Sequence, residues 1–366
     1  MLMIPGPSDP EPEVLAELSL PILPHYGDKW MSAYTETTTM MQKVFRTKNE
    51  VLIVPVPGQL AVEMAAINLV NRGEEAVICV NGLFSQSIVD AINIIGGRPV
   101  EVRAEPGNGH TLEMVKSVVD GLRDPAGKSV FIVQNETSTG VAVNPADIFH
   151  YCKKKGMFTV LDSISAVGGI DIRADEWDAD YVVGYASKAL GGVNGAQPVA
   201  VSQAVWDEVA RKKGNIHSSV LDLNVWREAI DVDSSWGHPH PTSMPTSVII
   251  ALRKAVSMAL EEGLENRYRR HADAAKAMRE GLQDLGLEVF TNPDFYSGTV
   301  SVGRVDPGWD LEFRNRLVSD YNIMIAGGLG ALKGKVVRVG HMGSGARLEK
   351  VRATIAAMEQ VLRKVR

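Results

Sequence analysis

The chain has 366 residues, 45% of them hydrophobic and 22% charged, with 38 Lys and Arg against 44 Asp and Glu, a net charge of −6. That composition excludes a disordered or collagen-like chain, and the acidic balance excludes binding nucleic acid through a basic surplus. At about 150 residues per domain the length predicts two domains, and two cysteines, Cys79 and Cys152, are too few for a disulfide scaffold and suit a reducing compartment. The 34 glycines exceed the average share of about 7%. The opening Met1-Leu-Met-Ile-Pro-Gly-Pro lacks the basic and apolar regions of a signal peptide. Residues 51–70 are apolar but carry Pro55, Pro57, Gln59, Glu63 and Asn68, which argues against a membrane span. A soluble, cytoplasmic protein without membrane or nucleic-acid partners is expected.

From about residue 50 to 205, short runs rich in Val and Ile alternate with amphipathic stretches. The runs at 76–80, 99–102, 129–134, 158–162, 181–185 and 198–201 predict strands. The stretches at 58–71, 85–95, 112–122 and 145–155 predict helices. Buried, non-alternating strands separated by helices predict an α/β fold whose mostly parallel sheet is flanked by helices. After residue 245 the pattern changes. A charged helical segment at 246–285, broken at Gly263, precedes strand-like 288–290, 298–302, 322–325 and 336–339, with helices at 310–321 and 347–365. That mixture predicts a smaller C-terminal α+β domain. The expected division is an N-terminal arm over 1–20, a large domain over 21–245, and a small domain over 246–366 that includes the linking helix.

Two motifs look functional and fail on spacing. Gly327-Gly-Leu-Gly-Ala-Leu-Lys-Gly-Lys335 matches neither a P-loop nor G-x-G-x-x-G, and reads as a flexible loop before a strand. His238 and His240 stand among prolines with no third ligand nearby, so no metal is expected.

The informative stretch runs from Asp162 to Lys188. Asp162 closes one apolar run, and Lys188 follows the next, after Val-Val-Gly-Tyr-Ala-Ser. Both therefore belong at the C-terminal edge of the sheet, where open α/β sheets bind ligands. A lysine and an acidic residue placed there suit pyridoxal phosphate, which needs a Schiff-base lysine and an acid at its ring nitrogen. On the pair alone, a structural Asp–Lys salt bridge explains the spacing equally well.

The segments Asp162-Ser-Ile-Ser-Ala-Val-Gly-Gly, Asp175-Glu-Trp-Asp-Ala-Asp-Tyr-Val-Val-Gly and Ser187-Lys-Ala-Leu resemble the class V pyridoxal-phosphate aminotransferases. Pro5-Gly-Pro7, Asn81-Gly-Leu-Phe84, Glu136-Thr-Ser-Thr-Gly140, Arg270-His271 and Gly334-Lys-Val-Val-Arg-Val-Gly340 follow in the family's order. The resemblance implies fold type I, pyridoxal 5′-phosphate as cofactor, small amino and oxo acids as substrates, and a homodimer with shared active sites.

It also implies roles. Lys188 would be the catalytic residue, holding the cofactor as a Schiff base and then moving the substrate proton. Asp162 would keep the pyridine nitrogen protonated. Phe84 matches the family's stacking aromatic, and although aromatics are more often core, its spacing after Asn81-Gly favours the platform. The phosphate would lie at Gly58 and Gln59, where a strand gives way to a helix start with free N–H groups. The Val-Pro-Gly-Gln turn replaces the family's hydroxyl-bearing one. Thr137 and Ser187 would approach the cofactor, Ser187 standing where the family more often has Gln. Thr242 and Ser243, with His240, fall where the family reaches across the dimer to the partner's phosphate. Arg338 matches the clamp for the substrate carboxylate, with Gly6 beside it and Arg347 as a second candidate.

The expected reaction passes an amino group from alanine or serine to glyoxylate or pyruvate by a ping-pong route. Pyridoxamine–pyruvate and ureidoglycine–glyoxylate aminotransferases are the alternatives within the family. A cysteine-desulfurase type of lyase would need a mobile nucleophilic thiol, which neither Cys79 nor Cys152 supplies.

Overall fold

A computed structural model describes the whole chain except residues 213, 215, 217 and 233–236. Seven strands form the main sheet: β1 (Glu50–Val54), β2 (Glu75–Val80), β3 (Arg98–Arg103), β4 (Ser129–Val133), β7 (Phe158–Asp162), β8 (Tyr181–Val183) and β9 (Gln197–Val201). A two-stranded ribbon of β5 (Asn135–Glu136) and β6 (Val141–Ala142) lies between β4 and β7 in the chain. The order is β1-β9-β8-β7-β4-β2-β3. Neighbours from β3 to β8 are parallel, whereas β9 runs against both β8 and β1. All the strands except β9 therefore share one direction, and their C-terminal ends lie along a single edge.

Helices α3 (Gly58–Leu69), α4 (Leu83–Ile94), α5 (Leu112–Val119) and α6 (Ala146–Lys154) connect these strands, after α1 (Pro12–Glu17) and α2 (Asp28–Phe45). Every residue of β4, β7 and β9 is buried. Strands covered on both faces need no alternation, which is why they read as unbroken apolar runs.

After α7 (Gln203–Arg211) and α8 (Leu223–Val232), α9 (Thr246–Glu262) contributes Ile249, Leu252 and Val256 to the main core. The next helix, α10 (Leu264–Asp284), bridges two cores. Leu264 belongs to the first, whereas Ala274, Met278 and Leu282 belong to a second with Phe313, Leu317, Met358 and Val361. That second core packs α11 (Asp310–Tyr321) and α12 (Leu348–Val365) beside an antiparallel sheet of β10 (Val300–Arg304), β12 (Val336–Gly340) and β11 (Ala326–Gly327).

Three sequence expectations shift. The run at 181–185 ends as a strand at Val183: the Gly184 N–H still reaches the Pro198 carbonyl of β9, but Pro198 has no N–H to return, and β8 is shortened. The run at 322–325 is not a sheet strand. Met324 bridges to Leu2 of the N-terminal arm instead, while Ile323 and Ile325 turn into the second core, and the sheet strand begins at Ala326. The run at 288–290 makes only an isolated bridge, between Val289 and Gly303. No helix among the described residues is long and apolar enough to cross a membrane.

Candidate active site

A cavity of about 300 Å³ opens at the C-terminal edge of the main sheet. Strand ends deliver its walls. Gly58 and Gln59 follow β1, Phe84 follows β2, Asn135 and Thr137 follow β4, Asp162 ends β7, and Tyr185, Ser187 and Lys188 follow β8. Gly6 and Pro7 of the N-terminal arm complete it. Eight residues expected from sequence thus meet in one place: Gly6, Gly58, Gln59, Phe84, Thr137, Asp162, Ser187 and Lys188.

The Lys188 amine donates to the Pro5 carbonyl at 2.6 Å. It forms no ion pair with Asp162, so the structural salt bridge left open by the sequence is not what the two residues do. Burial pushes the amine down to about 8, with the Arg338 cation adding to the effect and Asp162 opposing it. Asp162 Oδ1 accepts the Ile164 N–H at 2.9 Å, and Oδ2 has no hydrogen-bond partner among the described residues. Burial pushes this carboxyl up to about 7. A buried carboxylate with a spare oxygen calls for a cationic N–H partner.

The arm is held tightly here. Ser8 donates its N–H to Ser187 O at 2.9 Å and its hydroxyl to Lys188 O at 2.7 Å. Gly6 has φ +94, and a Cβ there would stand 2.3 Å from Lys188 Cδ and 2.4 Å from Nζ. Only glycine lets the arm and the lysine share this space.

Arg338 sits in β12, paired with Val302 and Ala326, and is 7% exposed. Its Nε donates to Gly327 O at 2.8 Å and Nη1 to Thr137 O at 3.2 Å, which leaves Nη2 without a partner among the described residues. No carboxylate lies within ion-pairing distance among them either. The nearest influence is Glu136, whose oxygens are already taken. Oε2 accepts the N–H and hydroxyl of Ser85, and Oε1 accepts those of Ser138. Burial pushes the guanidinium down to about 10.

The Glu136 turn also sets the aromatic wall. Gly82 has no side chain to cap α4, so Glu136 caps Ser85 N and the Ser138 hydroxyl caps Leu83 N at 2.9 Å. Phe84 is thereby fixed in the first turn, and the residue is 39% exposed, unlike a core aromatic. At the far wall Pro57 precedes the first turn of α3, where the Gly58 and Gln59 N–H groups face no helical acceptor. A Cβ at Gly58 would stand 3.0 Å from both Ile164 and Tyr185, so the glycine keeps that wall open.

Other residues lie elsewhere. Arg347 is paired with Glu11 outside the cavity. Thr242 is half-buried and Ser243 exposed, and neither lines the cavity of its own chain. His240 is spent internally: Trp30 Nε1 donates to its Nε2 at 2.9 Å and its Nδ1 bonds Thr242 O at 2.9 Å. Burial, then neighbouring His238, pushes the ring down to about 4. The ring is fully buried with both nitrogens occupied within its own chain. Cys79 and Cys152 are buried away from the cavity, and burial pushes both thiols up, Cys152 to about 12. Among the described residues no group of His, Cys, Asp or Glu is arranged to hold a metal.

The sequence reading missed Asn135, Ser165, Tyr185, Asn194 and Glu63, all of which line the cavity. Asn194 Oδ1 accepts from Tyr185 and Ser187, so the Gly191–Gln197 loop is a wall component. Asn135 donates to Ser165 and Thr299, but its Oδ1 is buried without a partner. The position of Tyr185 between Val183 and Lys188 could have flagged it; nothing in the local sequence marks Asn135.

A pyridoxal phosphate molecule fits this donor set. The spare Asp162 oxygen suits a pyridinium N–H, the exposed Phe84 face a ring plane, the Lys188 amine an aldehyde, and the α3 N-terminus a phosphate. The glycine cradle at Gly6 and Gly58 is space that side chains would fill.

Comparison with known proteins agrees. Residues 22–356 match the profile of the Aminotransferase class-V family. The chain is 32% identical to an uncharacterized aminotransferase of Methanocaldococcus jannaschii, across 100% of this chain and 93% of the relative. It is 29% identical to alanine–glyoxylate aminotransferase of Callithrix jacchus, across 99% of this chain and 87% of that protein. The crystal structure of an alanine–glyoxylate aminotransferase from Nostoc sp. superposes with a TM-score of 0.93 at 28% identity, covering 99% and 95% of the two chains. Shared profile, near-complete coverage and a common fold place the chain in the class V aminotransferases, pyridoxal-phosphate enzymes of fold type I.

Proposed function

We propose that this aminotransferase moves the amino group of a small donor, alanine or serine, to glyoxylate or pyruvate by a ping-pong route. The observation that carries the reading is Arg338, a buried guanidinium with an unpaired Nη2 and electrostatic influence on Lys188. An isolated buried cation is costly, and a substrate carboxylate is the partner that offsets the cost. The cavity volume supports a small donor. At about 300 Å³ it stands at the low end of ligand sites, and Arg338 stands just outside its lining, bonded to the carbonyl of the lining residue Thr137.

Arg338 would bind and orient the donor carboxylate. Lys188 Nζ, neutral above about pH 8, would take the proton from the donor Cα and return a proton to the oxo-acid carbon in the second half-reaction. Pro5 O accepts from the amine in this structure and would orient it while it is free. Asp162 would hold the proton on the ring nitrogen, and Phe84 would cover one ring face. Gly58, Gln59 and Ser187 would face the phosphate, and Thr137 the ring substituents. Pyridoxal phosphate, when bound, supplies the electron sink that makes the Cα proton acidic.

The homodimer, with Thr242 and Ser243 presented to the partner's site, belongs to the same proposal. Exposed Leu18, Leu20, Ile22 and Tyr26 support it as apolar surface in want of cover. So does the division into arm, large domain and small domain, with α10 spanning both cores. A screen of L-alanine and L-serine against glyoxylate, pyruvate and 2-oxoglutarate tests the substrates. Transfer confined to larger donors, or to 2-oxoglutarate, would contradict the reading.

One observation favours a second reading, pyridoxamine as donor to pyruvate. The Pro57-Gly58-Gln59 turn offers no hydroxyl, and the adjacent α3 face brings Glu63 rather than a cation to the wall. Equal affinity for pyridoxal and its phosphate ester would select it. Preference for the ester by about ten-fold or more would exclude it.

A further inference from the structure

We propose that Arg267 is a positioning residue for this reaction, fixing the Lys188 loop against the Asp162 loop through their backbone carbonyls. The inference rests on the roles assigned above to Lys188 and Asp162. Arg267 lies in the first turn of α10 and is 7% exposed. Its Nε donates to Gly168 O at 2.8 Å, in the turn that follows Asp162. Its Nη2 donates to Ala189 O at 2.8 Å and Leu190 O at 3.0 Å, the two residues directly after Lys188. Nη1 pairs with Glu262 at 2.7 Å.

The knot extends to the third site segment. Glu262 also holds Arg270 at 2.6 Å, and Arg270 Nη1 donates to Gly343 O at 2.8 Å, just beyond the Arg338 strand. His271 Nε2 accepts the Gly343 N–H at 3.1 Å. One carboxylate and two arginines at the α9–α10 junction thus grip the segments that carry Asp162, Lys188 and Arg338.

The contact between the two loops leaves them dependent on that grip. Gly168 has φ +79, and a Cβ there would stand 2.8 Å from Leu190 Cα. Backbone meets backbone at the closest approach, with only the apolar Leu190 and Ala189 side chains beside it, so the directional contacts that set the register are hydrogen bonds to carbonyls. A planar fork reaching three carbonyls and a carboxylate can set it, whereas a lysine ammonium can satisfy only part of the set. Misplacement of a reacting group by about 1 Å can cost on the order of a hundred-fold in rate.

The test compares wild type, Arg267→Lys and Arg267→Met as full-length apoprotein mixed with pyridoxal phosphate. Growth of the visible band of lysine-bound cofactor is followed per folded molecule, with thermal melting recorded alongside. Arg267→Met is expected to slow band growth at least about ten-fold and Arg267→Lys to restore part of the rate. With L-alanine, kcat should fall while KM moves less than about three-fold, because Arg338 is untouched. If Arg267→Met fails to fold, Arg267→Lys and Glu262→Gln decide, each with an expected slowing of about three-fold or more. Folded variants that melt lower but capture cofactor and turn over at wild-type rates per site would overturn the inference, leaving a purely structural arginine. A wild type that forms no band would overturn the reading of Lys188 itself, and this inference with it.

Discussion

Two buried arginines flank the lysine loop, and they are treated in opposite ways. Arg267 has every arm of its guanidinium occupied, by three carbonyls and a carboxylate. Arg338 has two carbonyls and a vacant Nη2, with the nearest carboxylate, Glu136, already committed to Ser85 and Ser138. Both are about equally buried, so burial alone does not distinguish scaffold from site. Satisfaction does. A cation saturated by its own chain holds that chain in place, whereas one left short is waiting for something that comes and goes.

The sharpest test of that contrast lies between the two arginines. Lys188→Ala should lower kcat by about a thousand-fold or more, because both cofactor attachment and proton transfer are lost. Its melting temperature should hold, since a partly neutral buried amine is no ion pair; retained turnover would break the account. Arg338→Met should raise KM for the amino donor by about ten- to a hundred-fold, in line with about 1.5–3 kcal/mol for a charged hydrogen-bonded partner. The same variant should melt no lower than wild type, because it removes an unpaired charge. Arg267→Met should do the reverse, losing about 3 kcal/mol of stability while sparing KM. If both variants melted alike, the distinction between them would fail.

A smaller effect concerns Gly6. Gly6→Ala puts a methyl into Lys188 at a φ of +94 and should cost about 1–2 kcal/mol with activity down about ten-fold. Smaller still is a pH effect in the apoprotein. Asp162 keeps its proton to about pH 7 in the folded chain but releases it near 3.8 when unfolded, so stability falls as pH rises between those values. Lys188 has the opposite slope: it loses its proton near 8 folded and near 10.5 unfolded, so stability rises with pH across that window. Asp162→Asn should therefore melt a few degrees higher than wild type, with a wider gap at pH 8 than at pH 5. Thermal scans at the two pH values check it.

Some of this was legible in the chain and some was not. Asp162 and Lys188 each terminate an apolar run, and a parallel sheet puts such ends on one edge; the period of the chain carries that information. Arg338 falls inside the strand-like run at 336–339, a cation among valines. The grip of Arg267 could not be read, because its acceptors are carbonyls 77 to 99 residues away, and a carbonyl carries no residue identity. The bond from Lys188 to Pro5 spans 183 residues, and only the folded arm brings them together. The run at 322–325 misled for the same reason: its alternation is real, but its partner is the N-terminal arm. The glycine surplus gained meaning only with geometry, where Gly6 and Gly168 mark places with no room for a Cβ and Gly58 a place where one would be tight.

The most direct measurement is a half-reaction. Purified protein is loaded with pyridoxal phosphate, L-alanine or L-serine is added without an oxo acid, and the visible band and released oxo acid are followed together. The band should disappear as one equivalent of oxo acid forms per site, and Lys188→Ala should do neither. A wild-type protein that binds no cofactor, or whose band is unmoved by either amino acid, would contradict it.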